Sequence, residues 1–304
     1  MASPQKQHQS NKKEKYIGWH VVVFLDLLGQ QDALRKLTVL PDLENTEDVD
    51  VFKHKISELY APLYALRKIY SSSINSFIKG GIDASELSEV EQELLKQFRS
   101  TPIVFRQFSD SVIVHIPIRN NIEGFPCRAI YGVLFAAAQT FLSCMSKGWA
   151  VSGGIELGLA MDMDEDEIYG PALARAYTLE SKVAQYPRIV IGEELTRYLQ
   201  EIAALPASNG KERAHAGLAT RSLKLLAVDD DGHSILDYLG GEIRDTLPGV
   251  PMTREIVVQA YNFIIQESYK HKISRNSKLG FRYTLLRNYF ESRLQDWGVA
   301  LQEE

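Results

Sequence analysis

Cysteine is nearly missing from this chain: two residues in 304, Cys127 and Cys144. Both stand in apolar surroundings and read as buried core thiols, and no Cys-His or Ser-His-Asp arrangement can be argued from spacing. A basic excess is missing too. The net charge of -5 excludes broad nucleic-acid binding, which needs clustered Lys and Arg along a phosphate track. An anionic nucleotide remains possible where a divalent metal supplies the local positive charge. Long apolar runs are also lacking. Trp19–Leu28 and Ile130–Leu142 are too short or too interrupted to span a bilayer. Residues 1–15 (MASPQKQHQSNKKEK) hold no apolar segment and read as a disordered tail, so no membrane partner and a cytoplasmic location are expected.

Other motifs fail on inspection. Gly153-Gly154 is followed by no Lys-Ser or Lys-Thr pair, so it is not a phosphate loop. The acidic run from Asp162 would need Gly and Glu where Glu167 and Leu173 stand, which rules out a calcium loop and leaves a solvated one. His20 and His115 fall in strand patterns and read as core or edge residues. No repeat of solenoid period is found.

What is present is a globular mixture of strand and helix. Trp19-His-Val-Val-Val-Phe-Leu-Asp-Leu-Leu-Gly29 is apolar on both faces, as in a central strand; it ends at Asp26, and Gly29 permits a tight turn into a helix near Gln30. Residues 41–50 read as an acidic loop. From Val51 to about Arg99 the pattern is helical, with Leu59, Leu63, Leu66 and Ile69 on one face and Gly80-Gly81 as the break. Residues 101–117 read as a hairpin with Ser109-Asp110 at its tip, 126–147 as an apolar helix and 150–160 as a strand. A helix over 171–184, a strand over 188–191 and a helix over 193–204 follow. Residues 205–218 are loop-like, 223–238 a second hairpin, and the last fifty residues two helices behind Pro248 and Pro251. The expectation is one α+β or α/β domain over 16–245, with a helical insertion at about 52–98 and a C-terminal helical appendage over 246–304.

Asp26 and Asp110 stand out as carboxylates at strand ends in apolar surroundings. Burying such groups costs several kcal/mol unless a cation or donors satisfy them, of order 1–3 even for neutral polar groups. Converging from neighbouring strands, they could hold one or two Mg²⁺ or Mn²⁺ ions, which prefer hard oxygens and bridge to phosphates. Equally, Asp26 could cap the helix near Gln30 and Asp110 stabilise its turn.

The strings Phe24-Leu-Asp26-Leu-Leu-Gly29 and Phe108-Ser-Asp110-Ser resemble the two metal motifs of class III nucleotidyl cyclases. In family order follow Gly154-Ile-Glu-Leu-Gly158, the Tyr169–Glu180 string and Arg188-Ile-Val-Ile-Gly192. The resemblance covers about residues 17–240 and implies a cyclase-like α+β fold with a ferredoxin-like βαββαβ core. It implies two divalent metals held by Asp26, Asp110 and the carbonyl of Leu27, and phosphate contacts from the amides of Leu28, Gly29 and Gln30. A head-to-tail homodimer with shared sites is implied as well.

Two departures narrow the substrate. Arg106 stands where purine cyclases of the family carry a Lys or Glu that reads the base, and its rigid fork suits pyrimidine carbonyls. Glu167 falls at the second base-reading position. The family's transition-state Asn and Arg are replaced by Ala174 and Thr178; Arg175 is one residue away but about 100° round the helix. The strings Ile168–Leu173, Ala176–Glu180 and Tyr186–Ile189 are similar to the pyrimidine cyclases of the bacterial anti-phage system called Pycsar. That similarity implies conversion of UTP, or alternatively CTP, to a cyclic monophosphate that activates a separate effector. A degenerate nucleotide-binding module is the other reading.

Overall fold

The β-branched run at Val21–Val23 lies within a strand of twelve residues, β1 (Tyr16–Leu27). This computed structural model describes residues 16–300 apart from 31–33, 36, 80–86, 119–125, 164–166, 207 and 247–249, so the expected tail over 1–15, Pro248 and the middle of the acidic run lie outside the described residues. The further strands are β2 (Val104–Phe108), β3 (Ser111–Ile118), β4 (Val151–Asp162), β5 (Ile168–Tyr169), β6 (Ile189–Ile191), β7 (Leu226–Val228) and β8 (Ser234–Leu236). They form one mostly antiparallel sheet in the order β2-β3-β1-β4-β6-β8-β7, with β5 paired to β4 and one parallel pair, β4 with β6.

Helices cover both faces. In chain order they are α1 (Thr46–Lys79), α2 (Glu89–Ser100), α3 (Cys127–Met145) and α4 (Pro171–Thr178), which runs on as a π turn over Leu179–Ala184. Then come α5 (Glu193–Ala203), α6 (Gly210–Leu223), α7 (Gly241–Thr246), α8 (Val250–Ile273) and α9 (Ser277–Leu294). Alternation along β1 divides the core. Val21, Val23 and Leu25 join Val112, Val114 and Ile116 of β3 beneath α3 in the larger apolar cluster. Val22, Phe24 and Ile113 face the other way, against Ala172 and Ala176 of α4.

Helix α3 is long and apolar enough to cross a membrane, longer than the Ile130–Leu142 run suggested, but it is mostly buried against its own domain. Cys127 and Cys144 are fully enclosed in it, and burial pushes both thiols up to about 12.

Three boundaries differ from expectation. The acidic segment 41–50 is not all loop: α1 starts at Thr46 because Asn45 Oδ1 accepts from the Glu47 amide at 3.1 Å and Glu47 and Asp48 complement the helix dipole. Residues 205–218 are not loop-like either. Asn209 Oδ1 caps α6 by accepting from the Glu212 amide, and Glu212 Oε2 in turn accepts from the Ser208 amide. Helix α8 begins at Val250, so Pro251 lies in its first turn rather than before it.

The segment expected as an insertion contributes to the core, through Leu66, Tyr70 and Ile74 of α1. So does the C-terminal pair, through Val257, Tyr261 and Ile264 of α8 and Leu286 and Phe290 of α9. Leu66 is fully buried. Leu66→Ala should therefore lower the unfolding free energy by about 2–5 kcal/mol, measured by urea titration; a loss of a few tenths would mark α1 as peripheral.

Candidate active site

Strand β1 delivers Asp26 to the edge of the apolar core. Its ladder partners are Ser111 on β3 and Ser152 on β4, so these three side chains form one row on the α4 face. Ser111 Oγ donates to Asp26 Oδ1 at 2.8 Å. Asp110 sits at the tip of the β2–β3 hairpin, after Ser109, whose φ of 50° is left-handed. Arg67 of α1 fixes that tip by donating from Nη2 to the Ser109 carbonyl at 2.7 Å.

A third carboxylate arrives from the π turn. Glu180 is buried, and Ser152 Oγ donates to its Oε1 at 2.6 Å. This approach depends on Gly154: a Cβ there would lie 2.1 Å from the Ala176 carbonyl and 3.0 Å from the Glu180 amide, so only a bare strand lets the helix end settle on β4. The far end of the turn is clipped by Arg188, which is 2% exposed. It donates to the carbonyls of Val183 and Ala184, at 2.8 and 2.9 Å, and pairs with Asp229 and Asp231 in the β7–β8 turn.

The charges converge on one another. Burial is the main reason the Asp26 carboxyl is raised from 3.8 to about 7; the Ser111 bond opposes that shift, and the charges of Asp110 and Glu180 add to it. Glu180 is raised too, by burial first, with Ser152 opposing and Asp110 reinforcing. No cation figures among the groups acting on either carboxylate.

Hard oxygens with unbalanced negative charge suit a divalent cation. Among the described residues, no group of three or more His, Cys, Asp and Glu side chains is arranged to hold a metal by itself. A cation bound by Asp26 and Asp110 would need water or phosphate oxygens to complete its shell, which is how Mg²⁺ commonly sits.

The remaining expected residues are placed as follows. Leu27 ends β1. The Leu28 amide donates to the Ala150 carbonyl at 3.0 Å, which corrects its role as a phosphate donor: closing the end of the β1–β4 ladder consumes it. Gly29, with φ of 87°, makes the turn, and Gln30 is helical. Arg106 does not stand free. Its Nη2 donates to Asp162 Oδ1 at 3.1 Å. The charges of Asp162 and Arg106 both act on buried His115, which burial holds down to about 4. His115 packs edge-on against His20 at 5.4 Å, so both imidazoles are core residues.

Glu167 is exposed at the base of the β4–β5 turn, where its carbonyl accepts from the Met163 amide. Arg175 lies over β4, its Nη2 2.4 Å from where a Cβ on Gly158 would stand, and its charge acts on Glu156. Neither residue is brought to the Asp26 end. Ala174 is exposed, and the Thr178 hydroxyl is spent on the Ala174 carbonyl at 2.8 Å.

Asp110 and Glu180 both lie near enough for their charges to act on Asp26, and Ser111 and Ser152 bond to Asp26 and Glu180. The two serines are one strand-residue from signals already visible, Asp110 and Gly153, and the strand registers would have paired them with Asp26. In comparisons with family models, curated proteins and solved structures, nothing matches this chain.

The raised carboxyl has a consequence for stability. The pKa of Asp26 is higher folded, about 7, than its ordinary 3.8, so its contribution to stability is full below pH ~4 and is lost as pH rises through ~7. In divalent-free buffer Asp26→Asn, which keeps the Oδ1 acceptor for Ser111, should stabilise the protein at pH 8 by about 1–2 kcal/mol after solvent screening. The gain should shrink toward pH 5. Urea titrations at the two pH values check this, and a gain independent of pH would refute it.

Proposed function

We propose that this chain is a metal-dependent nucleotidyl cyclase of class III type, acting on a pyrimidine nucleoside triphosphate and making 3′,5′-cyclic UMP and pyrophosphate from UTP. The observation that carries the reading is that Asp26, at the end of a strand, and Asp110, at a hairpin tip, lie close enough for the charge of the second to raise the half-buried carboxyl of the first. The topology supports it as well. The chain order β1-α1-α2-β2-β3-α3-β4 with strands ordered β2-β3-β1-β4 is that of a ferredoxin-like βαββαβ core, its first crossover made of two helices.

Two divalent cations, Mn²⁺ or Mg²⁺, held by Asp26, Asp110 and the Leu27 carbonyl, would acidify the ribose 3′-hydroxyl and neutralise charge between the α-phosphate and the leaving pyrophosphate. The chain's own groups do the positioning. Ser111 holds Oδ1 of Asp26, and Arg67 sets the hairpin tip that carries Asp110. The amides of Gly29 and Gln30 would contact the phosphates at the following turn. Arg106 would read the base carbonyl once its bond to Asp162 is exchanged for one to the ligand. CTP is the alternative substrate, because its O2 offers Arg106 the same acceptor.

In this reading the enzyme works in the cytoplasm as a head-to-tail homodimer and signals to a separate effector in anti-phage defence. Arg106 of one subunit serves the Asp26–Asp110 pair of the other. One observation favours a second reading, a nucleotide-binding module without catalysis: the positions of the transition-state Asn and Arg hold Ala174 and a Thr178 whose hydroxyl is occupied.

Incubation of the purified chain with each of the four nucleoside triphosphates and Mn²⁺ decides between them. The expected result is pyrophosphate and a cyclic pyrimidine product, with Asp110→Ala slowing turnover by about 10²–10³-fold. Nucleotide binding without pyrophosphate release would favour the module, and turnover that survives Asp110→Ala would remove the metal assignment. Mixing inactive Arg106→Ala and Asp26→Ala chains should restore part of the activity through hybrid sites; a mixture as silent as its components would exclude shared sites.

A further inference from the structure

The outer stripe of α1 is unlike an ordinary solvated helix face. Tyr60, Tyr64, Arg67, Lys68 and Ser71 recur at i, i+4, i+7, i+8 and i+11, which puts them on one side, away from buried Leu66, Tyr70 and Ile74. Tyr60 and Tyr64 stay 49% and 52% exposed, with ring centroids 6.2 Å apart. Lys68 Nζ stands 5.6 Å from the centre of the Tyr64 ring.

Two cavities flank this stripe. One, of about 360 Å³, lies between α1 and the edge strand β2 and is lined by Arg67 and Phe105. The other, of about 630 Å³, lies between α1 and the end of α3 and adds Lys147 and Trp149. Tyr64 and Lys68 line both. Among the described residues, none that lines either cavity is acidic, although the chain carries a net charge of -5. A face that only met solvent would mix both signs; this one gathers cations beside aromatic rings. Arg67 Nε is also buried without a hydrogen-bond partner, a donor that an anion reaching into the groove would satisfy.

We propose that this groove is a nucleotide-binding site distinct from the Asp26–Asp110 site. Phosphates would be held by Arg67, Lys68 and Lys147, and the base would stack on Tyr60 or Tyr64. The cation chemistry fits phosphate, since guanidinium and ammonium groups bind it through charge-assisted hydrogen bonds. The exposed rings fit a base, because aromatic side chains stack on any nucleobase. The cavity size is that of small-molecule sites, about 300–1,000 Å³. The groove lies on the α3 side of the sheet, whereas the Asp26 carboxylate faces α4. Arg67 touches both regions, lining the groove while its Nη2 holds the Ser109–Asp110 turn.

The test uses the full chain carrying Asp26→Asn and Asp110→Asn, in EDTA, so that failure here is separate from failure of the cyclase reading. Calorimetric titration with ATP should show one nucleotide per chain. Lys68→Gln and Tyr64→Ala, both at exposed positions and checked for an unchanged melting curve, should each weaken binding by about tenfold or more. Tripolyphosphate should compete, and adenosine should bind more weakly than ATP. Absence of binding at about 1 mM ATP, or binding that neither variant weakens, would overturn the proposal. Tripolyphosphate binding as tightly as ATP, with Tyr64→Ala silent, would also overturn it by reducing the groove to a plain anion patch.

Discussion

Strand β1 is paired on both sides, with β3 from Trp19 to Asp26 and with β4 from Tyr16 to Leu27, and the register of these two ladders is what the rest of the molecule depends on. Side chains alternate between faces with a period of two. A slip by one residue would carry Asp26 into the apolar layer under α3 and turn Val21, Val23 and Leu25 toward α4. The two apolar clusters differ in size, and the larger takes the odd-numbered residues, so packing alone fixes which face the carboxylate adopts. The position of the acid is thus a by-product of burying valines.

Around that fixed point, three unrelated pieces of backbone each bring one acid: a strand end, a hairpin tip and a helix distortion. Two of the three also have an anchor outside the cluster. The hairpin tip is held by Arg67 from a helix on the other side of the sheet, and the π turn by Arg188, anchored in turn to the β7–β8 loop. Repulsion between the carboxylates is therefore borne by the scaffold, and their separation cannot relax freely.

Much of this could be read from residue order. Asp26 and Asp110 were legible less as lone acids at strand ends, which capping would also explain, than through the strings around them, and Gly29 announced the turn. The fold class followed from the order of strand, helix, hairpin and helix along the chain. Helix α6 was hidden because its stretch GKERAHAGLATRSL has too few large apolar residues for a visible face, although Asn209 and Glu212 did mark its start. The acids at the head of α1 resembled a solvated loop for the reason that they suit a helix N-terminus. Glu180 could not be placed, because its direction depends on a π turn and on the bare surface at Gly154, neither of which leaves a period in the sequence. Nor could the bond between Arg106 and Asp162, which joins residues 56 apart.

The π turn over Leu179–Ala184 has a further meaning. Such a turn closes its hydrogen bonds over one residue more than an α-helical turn does, so the side chains that follow are rotated away from where an unbroken helix would carry them. Here the anchors are the alanine face of α4 on one side and Arg188 on the other. The direction of the third acid is consequently set by this local turn rather than by the sheet.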